Sequence, residues 1–190
     1  MTDTVMQARE GNRPAFERLI DHYQGDIYRL IFYRIRSRMD AEDLTQDVFV
    51  RAYRSISRIR EPHKFRSWLF RIAINRVNDY LRKKRVRSIF KSSDEGTEVQ
   101  PADTDFQDTP EALDQVLKED FWRHIERIAA KLSKMEREVF MLRFMDNLNI
   151  NEIARILKKS ESTVKTHLYR ALAKFKKEKG LRQFLQEDLT

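Results

Sequence analysis

Trp68, Arg71, Asn75, Asn78 and Arg82 are spaced i, i+3, i+7, i+10 and i+14, so a helix through them carries all five on one face. A ring, two amides and two guanidinium groups in that arrangement suit single-stranded DNA. An unstacked base can lie on the indole, the amides can bond base edges, and the arginines can bind phosphates. The same spacing fits a plainer reading, in which Trp68 packs on the core and the arginines form a solvated face. Just beyond, Lys83, Lys84, Arg85 and Arg87 make a charge run that either stays solvated or attracts phosphate.

A second concentration of such chemistry runs from Ile150 to Lys177. A short apolar helix, the polar turn Lys158-Lys159-Ser160 and a longer helix with a polar outer face have the proportions of a helix-turn-helix. The second helix would enter the major groove and offer Glu161, Ser162, Thr163, Lys165, Thr166, Tyr169 and Arg170 to phosphates and base edges. Lys174, Lys176 and Lys177 extend the positive charge. Helix pairs of this kind also occur in proteins that never touch DNA. Elsewhere, Asp43, Gln46 and Asp47, bordered by Phe49 and Arg51, form the least basic helix face of a basic segment. That face suits a protein partner, although a solvated surface accounts for the pattern as well.

Catalytic chemistry has little to stand on. His22, His63, His124 and His167 are scattered, no cysteine is present, and no carboxylates cluster at ligand spacing, so neither a metal site nor a cofactor is expected. Gly11, Gly25, Gly96 and Gly180 are isolated, so no glycine-rich phosphate loop exists. The chain is not expected to be an enzyme.

The elements that position these residues are helical. Only four glycines and four prolines punctuate 190 residues, which predicts an all-α protein. Asn12 and Pro14 open a helix with Phe16, Leu19, Ile20, Tyr23, Ile27, Leu30 and Ile31 inward. Asp40 marks a second start, with Ala41, Leu44, Val48, Ala52 and Ile56 as its stripe. After a break at residues 58–64, a third helix runs from Phe65 to about Lys84, with Leu69, Ile72, Ala73, Val77, Tyr80 and Leu81 inward. Thr109 and Pro110 begin a further helix bearing Leu113, Leu117, Phe121, Ile125 and Ile128. Ser133 with Glu136, and Asn149 with Glu152, read as capping boxes; Val139, Phe140 and Leu142 follow the first, and Ile150, Ile153, Ala154 and Leu157 the second. The last helix sets Val164, Leu168, Leu172 and Phe175 inward.

The formal charge of +8 is unevenly spread: +10 over residues 1–91, −6 over residues 92–110 and +4 over residues 111–190. A basic excess of this kind attracts polyanions. The middle segment, acidic and nearly devoid of apolar residues, reads as a flexible linker between two small helical domains, 1–91 and 111–190. No basic flank with an apolar run opens the chain, and no stretch approaches the roughly 20 apolar residues of a membrane helix, so a cytoplasmic protein without membrane insertion is expected.

DAEDLTQDVFVRAY at 40–53, followed by FRSWLFRIAINRVNDYLRKKR at 65–85, resembles the second region of bacterial sigma-70 sigma factors; LSKMEREVFMLRFMDNLNINEIARILKKSESTVKTHLYRALAKFKK at 132–177 is similar to their fourth. With no intermediate domain, the resemblance is to the small extracytoplasmic-function (ECF) group. It implies core RNA polymerase and promoter DNA, duplex and single-stranded, as partners, and an anti-sigma protein that nothing in the chain identifies. It further implies that Asp43, Gln46, Asp47 and Arg51 dock on the clamp of the polymerase largest subunit. Lys64, Phe65, Arg66, Trp68, Arg71, Asn75 and Asn78 would melt and read the proximal promoter element. Lys165, Thr166, His167, Tyr169 and Arg170 would read the distal one, and the acidic linker would lie in the RNA exit channel. Two departures, Ser162 where glycine is frequent and His167 where arginine is frequent, bear on which promoter is read. A stand-alone helix-turn-helix regulator is the rival reading. It leaves the Trp68 face unexplained.

Overall fold

The computed structural model describes residues 1–91 and 131–177, which are helical and fall in two compact units, one within Met1–Asp105 and one within Phe106–Thr190. The acidic segment 92–110, the helix expected from Thr109, and His124 lie outside the described residues.

The first unit comprises α1 (Thr2–Arg9), α2 (Arg13–Ile35), α3 (Arg38–Ser55) and α4 (Phe65–Lys91), with two 3-10 turns, Ile56–Arg58 and Pro62–Lys64, between α3 and α4. α1 was not anticipated from the sequence; it buries only Val5 and Ala8, too few to make a visible stripe. Gly11 turns the chain into α2 at φ +94°, a conformation that costs a residue with a Cβ but not glycine. Asn12 then caps α2, its Oδ1 accepting from the Ala15 amide at 3.0 Å, with Pro14 in the first turn as expected. Arg36, in the left-handed region, ends that helix.

α3 starts two residues before the expected Asp40, because Ser37 supplies the cap: its Oγ accepts from the Asp40 amide at 3.4 Å. α4 continues past the expected Lys84 to Lys91, since no helix breaker stands between them.

Leu19, Ile27, Leu30, Ile31, Ala41, Val48, Ala52, Leu69 and Ala73 are fully buried between these helices. Each large aliphatic side chain among them contributes about 1.5–3 kcal/mol by leaving water. Several sequence expectations need correction, beginning with Ile20 and Tyr80, which were placed inward and are half-buried. Leu81 is 40% exposed, because the buried stripe of α4 gives out at Val77. Ile72 is only half-buried, and Phe70 and Ile74 are buried beside the stripe. Phe49 does not border the outer face of α3 but turns into the core at 7% exposure.

The second unit contains α5 (Lys134–Phe140), continued by a π-helical turn at Met141–Met145, then α6 (Ile150–Leu157) and α7 (Glu161–Lys177). Both predicted capping boxes form: Ser133 with Glu136, and Asn149 with Glu152. Lys158, left-handed at φ 53°, ends α6, and Ser160 Oγ accepts from the Thr163 amide at 3.2 Å to open α7. Phe140 stacks on Phe175 at 4.2 Å over a core of Leu132, Ala171 and the half-buried Leu172. Val139, Leu142, Ile153 and Val164 are buried as expected, whereas Ile150, Leu157 and Leu168 are half-buried and Ile156 takes the deeper position.

Candidate nucleic-acid interface

α4 begins where Phe65, at 2% exposure, anchors its first turn in the core. The Phe65 ring lies 5.6 Å from Tyr23 and 5.5 Å from Trp68, tilted 39° to the latter. Phe65, which the family resemblance places among the promoter-contact residues, is buried here and packs against Trp68. Trp68 is half-buried against that ring and keeps part of its indole open. An aromatic ring braced by a buried neighbour is a rigid stacking platform, because little side-chain freedom remains to be lost when a base lands on it.

The other members of the face project as the spacing predicts. Asn75, Asn78 and Arg82 are exposed and Arg71 is half-buried; within the described residues Arg71, Asn75 and Asn78 have no side-chain partner. Unengaged amides and a guanidinium beside a fixed ring leave their full hydrogen-bonding capacity for a ligand. Arg82 is tied to Asp79, Nη2 to Oδ1 at 3.1 Å. At the entrance to the helix Lys64 pairs with Glu61, and the Arg66 guanidinium lies 5.2 Å from the Phe70 ring centroid. Lys83, Lys84 and Arg87 stand away from this face. They line a cavity of about 470 Å³ with Asp40, Leu44, Arg76 and Tyr80, on the side of α4 that packs against α3.

On α3, Asp43, Gln46 and Arg51 are exposed as expected, but Asp47 is half-buried and turned partly inward. Its Oδ1 is 3.5 Å from Arg51 Nε, and its Oδ2 pairs with Arg76 of α4. Sequence reading missed Arg76, whose side chain is 17% exposed. The signal available was its position four residues before Tyr80, on the side of α4 that meets Asp40 and Asp47.

In the second unit Glu161, Ser162, Lys165, Thr166, Tyr169 and Arg170 are exposed along α7, with Tyr169 at 69%. Asn151 Nδ2 donates to Glu161 Oε1 at 2.7 Å, bracing α7 against α6, and Thr166 Oγ1 donates to the Ser162 carbonyl at 2.9 Å. His167 departs from the other predicted readers. It is half-buried, and its buried Nδ1 has no hydrogen-bond partner among the described residues. Lys174 is also drawn away from the charged outer face, since Nζ donates to Glu136 Oε2 at 2.6 Å and to the Lys131 carbonyl at 3.2 Å. The Lys174 hydrogen bond, followed by the Ser133 amide, holds the Glu136 carboxyl below its ordinary range.

Among the described residues no helix is long and apolar enough to cross a membrane, and no group of three or more His, Cys, Asp or Glu is placed to hold a metal ion.

Two family signatures match the chain in order: Sigma-70 region 2 over residues 19–87 and Sigma-70, region 4 over residues 123–175. The ECF RNA polymerase sigma factor SigW of Bacillus subtilis is 31% identical over 180 residues, covering 92% of this chain and 94% of SigW. BldN of Streptomyces coelicolor, also an ECF RNA polymerase sigma factor, is 33% identical over 175 residues, which span 90% of this chain and 63% of that longer relative. In fold, the chain is similar to CnrH, solved in complex with the cytosolic domain of CnrY (TM-score 0.67, 23% identity, covering 98% of this chain and 97% of CnrH). It is also similar to the sigma factor RpoE of Bartonella quintana, solved with the anti-sigma factor NepR (TM-score 0.60, 21% identity, covering 84% and 92%). With both regions matched in order and SigW paralleled over nearly its whole length, the chain belongs to the ECF RNA polymerase sigma factors, the proteins that direct promoter-specific transcription initiation.

Proposed function

We propose that this sigma factor divides its task by unit. The unit within residues 1–91 docks on core polymerase through Asp43, Gln46, Asp47 and Arg51 of α3 and captures the melted proximal element on α4. There Trp68 supplies the stacking surface, Arg71, Asn75 and Asn78 supply polar contacts, Lys64 and Arg66 flank the strand, and Phe65 packs against Trp68. The unit within residues 111–190 reads the distal element as duplex in the major groove. Lys165, Thr166, Tyr169 and Arg170 face the DNA there, with His167 behind them. The acidic segment 92–110 is assigned, on the family resemblance alone, to the RNA exit channel. The chain acts in the cytoplasm, carries no catalytic centre of its own, and is held in reserve by an anti-sigma protein, as RpoE of Bartonella quintana is solved with NepR.

The observation that carries the melting assignment is the braced, half-open ring of Trp68 beside amides and a guanidinium that nothing else in the described residues engages. Duplex DNA offers no exposed base face to such a ring, whereas an unpaired strand does. Run-off transcription of genomic fragments by core polymerase, with and without this protein, tests the whole scheme. New start sites preceded by two spaced sequence elements support it. No new starts, together with tight duplex binding by the protein alone, would establish the stand-alone regulator instead.

A further inference from the structure

We propose that Arg76 is a positioning residue for the DNA-facing surface of α4, clamped by Asp47 and Asp79 and never itself touching DNA. The inference rests on the assignment of that surface to melted promoter DNA.

Arg76 follows Asn75 directly, so it points about 100° around the helix from it, toward α3. One terminal nitrogen, Nη2, pairs with Asp47 across the helix interface, and the other, Nη1, lies 3.8 Å from Asp79 on its own helix. Asp79 in turn accepts from Arg82, a member of the DNA face, at 3.1 Å. Asp47 reaches Arg51 on the outer face of α3 at 3.5 Å. The result is one run of alternating charge, Arg51, Asp47, Arg76, Asp79 and Arg82, that crosses the first unit from the docking face to the DNA face.

The middle of that run is its least exchangeable part. Arg76 is mostly buried, and among the described residues its Nε has no hydrogen-bond partner, so its charge depends on the carboxylates of Asp47 and Asp79. Arg51 is exposed, and such pairs exchange with little loss. A polymerase group arriving at α3 can therefore replace Arg51 on Asp47 Oδ1 while Oδ2 keeps Arg76. The planar guanidinium directs Nη2 to Asp47 while Nη1 faces Asp79 at ion-pair distance, a divergence that the single ammonium of a lysine lacks. Arg76 thereby adds a directional contact to the apolar packing that seats α4 on α3, and refines the rotation that places Trp68, Asn75, Asn78 and Arg82.

The test uses holoenzyme reconstituted with full-length Arg76→Gln, Arg76→Lys, Asp79→Asn and Trp68→Ala factors on a promoter mapped by run-off transcription. Core affinity, thermal unfolding and permanganate reactivity of the melted region are each measured. Arg76→Gln is expected to open the promoter about tenfold less, the scale of a small misplacement of contact groups, with core affinity unchanged within about twofold. Arg76→Lys should recover thermal stability without recovering opening. Asp79→Asn, a half-exposed site that leaves no buried cation wholly unpaired, gives the same direction if Arg76→Gln fails to fold. Normal opening by Arg76→Gln, or by Asp79→Asn in its place, while Trp68→Ala is impaired would overturn the positioning role alone. Core affinity and opening falling in equal proportion would overturn it as well, in favour of a merely structural ion pair. Normal opening by Trp68→Ala would instead remove the assignment on which the inference rests.

Discussion

The Tyr80 hydroxyl donates to Asp40 Oδ2 at 2.7 Å, joining the middle of α4 to the first turn of α3. Burial and this hydrogen bond push the Tyr80 hydroxyl up to about 12, while the same bond, followed by Ser37, holds Asp40 below its ordinary range. Tyr80→Phe is expected to cost the first unit about 1.5–3 kcal/mol, the value of a hydrogen bond to a charged acceptor. The alkaline dependence follows from the raised value. Stability is fully present below pH 10, where the unfolded tyrosine titrates, and is lost as pH climbs toward about 12. Denaturant unfolding between pH 8 and pH 11 should show that loss in the native factor and a weaker one in Tyr80→Phe; parallel curves would contradict it.

Trp68→Ala is expected to reduce promoter opening by about tenfold or more, since base–aromatic stacking contributes about 1–3 kcal/mol. Core affinity should stay within about twofold, because the proposed docking face lies on another helix. Permanganate footprinting beside a core-binding titration separates the two quantities. Equal losses in both would return Trp68 to the role of a core residue.

Much of the helical framework of this candidate interface was legible in the sequence because both of its long helices obey a simple period. Trp68, Asn75 and Asn78 repeat at helical spacing, and the Ser133 and Asn149 boxes announce where α5 and α6 begin. What escaped was decided by packing between elements. Phe65 and Trp68 are three residues apart and equally aromatic, and only the contact with Tyr23 tells the buried one from the other. Phe49 was placed at the border of the outer face, yet α3 buries it. Asp47 and Lys174 look like ordinary surface charges until partners distant in sequence, Arg76 and Glu136, claim them. α1 and the Ser37 cap were missed for lack of a strong local signal.

The Glu136–Lys174 pair makes the second unit sensitive to acid. The folded carboxyl is depressed, so its stabilisation is present above the unfolded glutamate range and disappears as pH falls through the lower folded value. Glu136→Gln should be less stable at neutral pH and show a flatter acid branch, since one pH-linked group has gone. Lys174→Met strands a buried carboxylate and should therefore destabilise more than Glu136→Gln. Thermal unfolding of the three factors from pH 7 to pH 3 checks the order, and a steeper acid branch in Glu136→Gln would refute it.

Lys165 and His167 sit two residues apart on α7 and should behave oppositely. Lys165 is exposed, so Lys165→Ala is expected to weaken binding to a duplex carrying the distal element and to lower the salt dependence by about one phosphate contact, a change of about 0.9 in the slope of log affinity against log salt. His167 is half-buried and its Nδ1 has no partner among the described residues, so an apolar side chain of similar volume removes an unsatisfied polar atom. His167→Leu should keep the salt slope of the native factor and match or exceed its thermal stability. The same duplex titrated at several salt concentrations, with a scrambled distal element beside it, measures both effects. A shallower slope in His167→Leu would put the imidazole on the phosphate backbone after all, whereas an unchanged slope with lost sequence preference would make it a reader of base edges that rotates outward on binding.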